Sequence, residues 1–353
     1  MEEKMIKLNL RRMVLVFILA LSSSILSAQQ TFNTTIYLDY TYFLSDNGPL
    51  TTPVPPGEMN NFFTFRRAYF TYENKVSDKL KFRFRYDADY VKSIDKSGKP
   101  DDKLRPFMKH LYLEWSNPIP NSSLKIGMAD TLTFKLAEDR WGLRSVAKTL
   151  VDGYKDVTGK DIDATSADVG LNFSGTISKE FRYAFMVCNG ASYSHPEQDK
   201  YKKIAGQVHF VPVSGFSLVG YVDYEKQDKV ASALTYKVDS FMEMVRGLIL
   251  GFEGFIYQNE LNKINGKEYN RAGYSIFGRY SVISEKLFFF GRFDRYEPNN
   301  QQGEDEMNLF IAGIDWTPLH SSFKLQPNIW YYDYADSNKK SDLIFNLTFF
   351  LSF

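Results

Sequence analysis

The chain has 353 residues, a formal net charge of +1 and a single cysteine. With 24% charged residues, 16% aromatic residues and a mean hydropathy of -0.33, it is too polar for a bundle of membrane helices and too evenly charged for a nucleic-acid binder. One cysteine, Cys188, excludes an intramolecular disulfide, so an exported chain of this size must be held by its own core or by a membrane.

Lys4, Lys7, Arg11 and Arg12 lead into an apolar run over 13–26 and then the small residues Ser27 and Ala28. This is the layout of a secretory signal peptide. Cleavage is expected after Ala28, leaving one mature domain over 29–353. The apolar run is shorter than the roughly 20 residues of a spanning helix, and no cysteine stands at the cleavage point to carry lipid. Removing the two acids and four bases of 1–28 turns the formal net charge from +1 to -1.

From residue 29 onward, apolar and polar residues alternate with period two between turn signals. The alternation predicts strands over 32–44, 62–76, 80–92, 105–117, 124–133, 166–178, 181–192 and 200–211. Eight more follow, over 216–225, 234–245, 248–258, 269–283, 286–296, 307–317, 323–334 and 342–353. Connections alternate between tight turns, such as Ser77-Asp78-Lys79 and Ser284-Glu285, and longer polar loops. About sixteen strands, an even number, with about 20 residues each including the connection, is the signature of an all-β, transmembrane antiparallel β-barrel with both termini on the periplasmic side. Barrels of 16 to 18 strands leave an aqueous channel, whereas about 8 strands fill themselves. The last strand puts Leu343, Phe345, Leu347, Phe349, Leu351 and Phe353 on one face and Asp342, Asn346, Thr348 and Ser352 on the other. A chain ending this way resembles the signal read by the outer-membrane assembly machinery.

Arg or Lys on a lipid face costs roughly 2–4 kcal/mol near the midplane, so Lys81, Arg83 and Arg85, which alternate with Leu80, Phe82, Phe84 and Tyr86, are expected to line the pore. Arg182, Arg271, Arg279 and Arg292 are further pore-lining candidates, balanced by acids such as Asp39, Asp223, Asp239, Glu253 and Asp294. Such a wall either orders a field that favours anions or pairs off internally with little selectivity. The connection over 134–165 exceeds the usual loop length. It carries Glu138, Asp139, Arg140, Arg144 and Lys148, and is expected to fold into the lumen as a constriction. Its acids Asp156, Asp161 and Asp163, with Asp168 just beyond, lack EF-hand spacing and read as solvated charge.

No metal or cofactor is expected, and no enzyme. His110, His195, His209 and His320 are scattered, with no H-E-x-x-H and no G-x-S-x-G. Trp115, Trp316, Trp330, Tyr331 and Tyr332 lie near strand ends and read as interfacial girdles rather than sugar platforms.

The runs Phe65-Arg66-Arg67-Ala68-Tyr69-Phe70, Leu80 to Tyr86, Leu111-Tyr112-Leu113-Glu114-Trp115 and Leu124-Lys125-Ile126-Gly127-Met128 resemble the phosphate-selective porin O and P family over most of the mature chain. The resemblance implies a sixteen-stranded porin of the bacterial outer membrane, commonly a homotrimer with the third loop folded inward, passing small hydrophilic solutes or ions either generally or with anions or phosphate preferred. Where relatives carry a lysine and a Pro-Phe pair, this chain reads Ala129-Asp130-Thr131-Leu132-Thr133-Phe134, so an acid stands where an anion site would want a base. Two other readings remain at this point. A secreted soluble β-sandwich would fractionate with the aqueous phase, and a structural or adhesin-type barrel would conduct nothing.

Overall fold

The computed structural model describes residues 29–45, 60–90, 93–94, 100–101, 103–154, 166–197, 199–227, 229 and 231–353. The predicted signal peptide, together with Asp156, Asp161 and Asp163, lies outside the described residues. The strands are β1 (Gln29–Ser45), β2 (Asn61–Lys75), β3 (Leu80–Tyr90), the short β4 (Ser93–Ile94) and β5 (Pro100–Asp101), β6 (Leu104–Ser116), β7 (Ser122–Asp130), β8 (Ala167–Thr176) and β9 (Phe181–Cys188). They continue as β10 (Lys203–Val213), β11 (Phe216–Lys226), β12 (Ser232–Met242), β13 (Leu248–Ile264), β14 (Lys267–Ile283), β15 (Leu287–Glu297), β16 (Met307–Trp316), β17 (Phe323–Tyr334) and β18 (Asp342–Ser352).

Sixteen of these strands form one closed antiparallel barrel, while β4 and β5 pair only with each other. Closure comes from β1 pairing with β18, from Thr35 opposite Ser352 to Ser45 opposite Leu343. A closed barrel has no free edge, which removes the sandwich reading. The predicted strands match the sixteen in order. They run longer than predicted over the connection 259–268, where β13 and β14 extend into one hairpin turning at Asn265 and Gly266.

The two faces differ as the alternation demands. On β12, Ala233, Thr235, Lys237, Asp239 and Phe241 are buried, while Tyr236 and Val238 between them are exposed. The enclosed parity is the inner face, and it carries the charges. The outer parity carries Val208, Val238, Ile276, Phe289 and Phe310, each about half exposed. Outer apolar residues matched to lipid and inner polar ones matched to water are what lets an antiparallel barrel cross a bilayer.

Of the register shifts in the ladder, two lie beside adjacent ionisable side chains. Opposite Tyr37 and Leu38, β2 presents Arg67 and Phe65, leaving Arg66 unpaired in the ladder. Opposite Arg85 and Tyr86, β6 presents His110 and Met108, leaving Lys109 unpaired. A bulge lets two consecutive side chains share a face. Arg67, Lys109 and His110 are accordingly all buried, and Arg66 reaches Asp39 on the inner face of β1 at 2.6 Å. Without the bulges, one cation of each pair would face lipid.

On β7, Gly127 has φ of 123°, and a Cβ there would lie 2.3 Å from the Leu111 carbonyl oxygen. Only glycine tolerates that backbone and that approach. The pairing of β6 with β7 ends one residue later, at Leu111 opposite Met128, and the freed end of β7 carries Asp130 to within 3.0 Å of His110.

Candidate functional site

The connection between β7 and β8 is structured. It forms helix α1 (Leu132–Trp141) and the single turn α2 (Leu150–Gly153). In α1, Thr133, Ala137 and Trp141 recur every four residues and are buried with Leu132 and Phe134, giving the helix one anchored face. The helix stops at Gly142, which adopts φ of 66° and returns its N–H to the Glu138 carbonyl, a left-handed C-terminal cap. A Cβ at Gly142 would meet Arg279 Nη1 at 2.5 Å. The glycine thus admits a guanidinium beside the carbonyl end of α1, where a cation is favoured.

The partners of this segment are inner-face side chains on both sides of the barrel. Toward β12–β16, Trp141, Leu143, Val146, Ala147, Leu150, Val151 and Tyr154 join Phe241, Phe255, Phe277, Phe290, Tyr296 and Ile311 in one apolar cluster. The Trp141 ring meets Phe277 at 5.3 Å and Phe290 at 5.9 Å, both edge-on. Polar contacts fix its height. The Leu150 N–H donates to Glu253 at 3.3 Å, Tyr154 Oη donates to Asp294 at 2.8 Å, and Arg292 donates to the Lys148 carbonyl. Toward β2, Arg66 donates to the Ser145 carbonyl. Toward β10 and β11, Gln207 donates to the Leu132 carbonyl at 3.2 Å, and Thr133 shares a 2.8 Å hydrogen bond with Tyr221.

Within the segment, Glu138 pairs with Arg144 at 2.8 Å, and Asp152 lies 3.6 Å from Arg144 and 3.9 Å from Lys148. Burial raises the Glu138 carboxyl above the ordinary range, with Arg144 pulling it back. Arg140 pairs with Glu243 on the wall, and Asp139 with Lys135 along the helix. Of the five residues expected in the constriction, Glu138, Arg144 and Lys148 meet through Arg144 and Asp152, whereas Asp139 and Arg140 pair with Lys135 and Glu243.

The expected wall cations separate into two environments. On β3, Lys81 sits 2.9 Å and Arg83 3.4 Å from Glu73, with Lys81 still 40% exposed at its side chain, and Arg85 donates to Thr71 at 2.8 Å. Arg182 on β9 is exposed. By contrast, Arg271 and Arg292 are buried, the latter held to Asp294 at 2.6 Å. Lys237 is likewise buried, between Asp239 and Glu253. Buried pairs of this kind cancel their own fields and are costly to break.

Two readings from the sequence are corrected. Asp168 is not solvated charge: it is buried, and its carboxylate accepts from the backbone N–H groups of Val169, Gly190 and Ser192. Trp330 and Tyr332 are not girdle residues, since they share the inner parity of β17 and pack on the apolar cluster, whereas Trp316 and Tyr331 are exposed on the outer face. The inward Arg66 and Lys109 escaped strict period-two reading. Adjacent cations in an otherwise alternating strand are themselves the clue, because without a bulge one would meet lipid.

Between α1 and the wall formed by β7–β10 lies a cavity of about 410 Å³, lined by Lys125, Lys135, Asn172, Arg182, His209 and Asp139 among others.

No protein-family model matches the chain, and no curated protein matches it. Solved structures do. An anion-selective porin from Comamonas acidovorans aligns with a TM-score of 0.66 at 9% identity, over 93% of this chain and 100% of its own. OmpF of Salmonella typhi, solved with daunomycin, aligns at 0.64 and 10%, over 92% and 97%. The outer-membrane protein OmpT of Vibrio cholerae aligns at 0.58 and 11%, over 93% and 98%. The chain has the porin fold. At these identities the likeness is one of architecture.

Proposed function

We infer that the chain is an outer-membrane porin, exported by a cleaved signal over 1–28, through which small hydrophilic solutes diffuse passively. The observation that carries this reading is the closed sixteen-strand barrel with an apolar outer face and a charged inner one. Support comes from neighbours that are themselves porins across their whole length. The α1–α2 segment folds into the lumen and narrows it, a placement supported by its contacts with inner-face residues of β2, β10, β11, β13 and β15. The assembly we propose is a homotrimer, by analogy with the Vibrio cholerae protein, which is described in a trimer form.

Small anions are the preferred class in this reading. The open part of the inner wall carries Lys81, Arg83, Arg85, Lys125 and Arg182 against Glu73, Glu114 and Asp130. Charges beside a narrow aqueous path act through low-dielectric walls and favour the opposite ion. Phosphate itself gains no dedicated cradle from the Gly127-Met128-Ala129-Asp130 stretch, which ends in an acid paired with His110.

The test is conductance of the purified, folded chain in a planar bilayer under a potassium chloride gradient. Stable steps with a reversal potential displaced toward chloride are expected. A cation-directed reversal would sink the anion preference alone. A folded barrel that gives no steps would replace the porin with a plugged structural barrel, a reading favoured by the apolar cluster that fills the β12–β16 side.

A further inference from the structure

The two ends of the barrel differ in what their connections expose. The short connections join β2–β3, β6–β7, β8–β9, β10–β11, β12–β13, β14–β15 and β16–β17. Each carries, within it or at the strand end leading into it, an aliphatic side chain more than half exposed. These are Val76, Ile119 and Ile177, then Val213, Val245 and Ile283, and finally Leu319 at 86%. Turn geometry does not ask for them, since the bends are supplied by Ser77-Asp78, Asn117, Gly215, Gly247, Ser284 and Pro318, the residue types that turns use. At the opposite end, among the described residues of 189–202, 298–306 and 335–341, no large apolar side chain is exposed. One exposed aliphatic on one turn would be ordinary. The same on every short turn, at one end of the barrel, marks a contact surface.

The tips continue the outer apolar wall. The Ile177 N–H donates to the Phe181 carbonyl at 2.9 Å, which carries the outer row of β8, Val169, Leu171 and Phe173, one step beyond the strand. Register shifts near the ends of β10 and β14 set Val213 opposite Phe216 and Ile283 opposite Leu287, on the outer face. The wall needs this height. Strand β9 has 8 residues, against roughly 9–11 for a tilted strand that crosses a bilayer, and a short span is matched by drawing its flanks toward the membrane. Lys79, Arg246 and Lys286 stand exposed on three of the same turns and make no ion pair among the described residues. Basic side chains at such a level bury their stems in lipid and leave the charged head among phosphates.

We propose that the short-turn rim is seated within the phospholipid leaflet beside it, with its aliphatic tips among the acyl chains and Lys79, Arg246 and Lys286 against the lipid phosphates. The proposal rests on the reading of the chain as an outer-membrane barrel and is independent of whether that barrel conducts.

The test uses the full mature chain in a Cys188→Ala background, with folding checked by the mobility shift on boiling, in vesicles of phosphatidylethanolamine and phosphatidylglycerol. Single nitroxide labels are attached after Ile177→Cys, Val245→Cys and Leu319→Cys. Val238→Cys on the outer belt and Asn338→Cys on a long connection serve as references. Collisions with oxygen, which concentrates in lipid, and with a water-soluble nickel chelate report the surroundings of each label. The three tips are expected to favour oxygen as position 238 does, the reverse of position 338. Tips that favour the nickel chelate overturn the seating. Tips exposed to the chelate in vesicles but shielded in isolated outer membranes overturn it too, because the rim's partner is then a protein. A label at 238 that favours the chelate overturns the membrane barrel itself, a separate outcome. In parallel, Lys79→Glu, Arg246→Glu and Lys286→Glu together are expected to lower the share of spin-labelled phosphatidylglycerol held at the barrel, relative to phosphatidylcholine, about twofold. An unchanged share overturns the phosphate contact.

Discussion

Single residues decide where the regular pattern of this barrel gives way. Arg66 with Arg67, and Lys109 with His110, are adjacent cationic or ionisable pairs that a strict two-residue repeat would split between water and lipid. The ladder instead skips one residue at each place, at the cost of a lost backbone pairing and with the gain of keeping about 2–4 kcal/mol of lipid exposure from arising. Gly127 is the third such point. Its φ of 123° and the 2.3 Å approach of the Leu111 carbonyl oxygen to a Cβ position predict that Gly127→Ala destabilises the barrel by about 1–3 kcal/mol. Gly206→Ala, where a Cβ would meet nothing within 4 Å, is expected to change stability by less than about 1 kcal/mol. Urea unfolding of both variants in the same detergent, followed by tryptophan fluorescence, separates them. Equal midpoints would show that the backbone at Gly127 carries no strain.

Among the elements, the strands were legible in the sequence and the helices were not. Strand parity shows because one face meets lipid and the other water along the whole repeat, so Leu80 to Tyr86 announces its own orientation. The α1–α2 segment shows no such repeat. Its apolar residues Trp141, Leu143, Leu150 and Val151 are matched to Phe241, Phe277 and Phe290 on distant strands, and that match exists only once the barrel has closed. The same reason hid the inward turn of Trp330 and Tyr332, whose partners belong to the segment's cluster. The charged members Glu138, Arg140 and Arg144 could be grouped from sequence because they lie on one connection, but their division between internal pairing and the wall at Glu243 could not. If the apolar cluster fixes the segment, Trp141→Ala removes its largest anchor, worth about 3–5 kcal/mol in a buried site. Single-channel recordings are then expected to show larger and noisier steps. Recordings indistinguishable from the parent would mean that the segment is held by its polar contacts alone.

For the whole molecule, the deciding feature is that the ladder returns to its start. Every inner strand has two partners, and β1 and β18 obtain their second only from each other. A chain ending before Asp342 would leave β1 and β17 each with a bare edge in hydrocarbon, where unpaired backbone groups cost several kcal/mol apiece. Such a truncated chain is expected to show no compact band that shifts on boiling, and a persistent shift would mean that fifteen strands can close by themselves.

The closing contact also imposes an order on events. Thr35 meets Ser352 across 317 residues of chain, so the first strand to leave the ribosome is completed by the last. No rearrangement of local turns shortens that wait, since contacts of such long range form late and slowly. Until β18 is in place, one edge of β1 has no mate and presents unpaired backbone groups. Folding the hairpins alone cannot therefore complete the barrel: its last step is the meeting of β1 with β18.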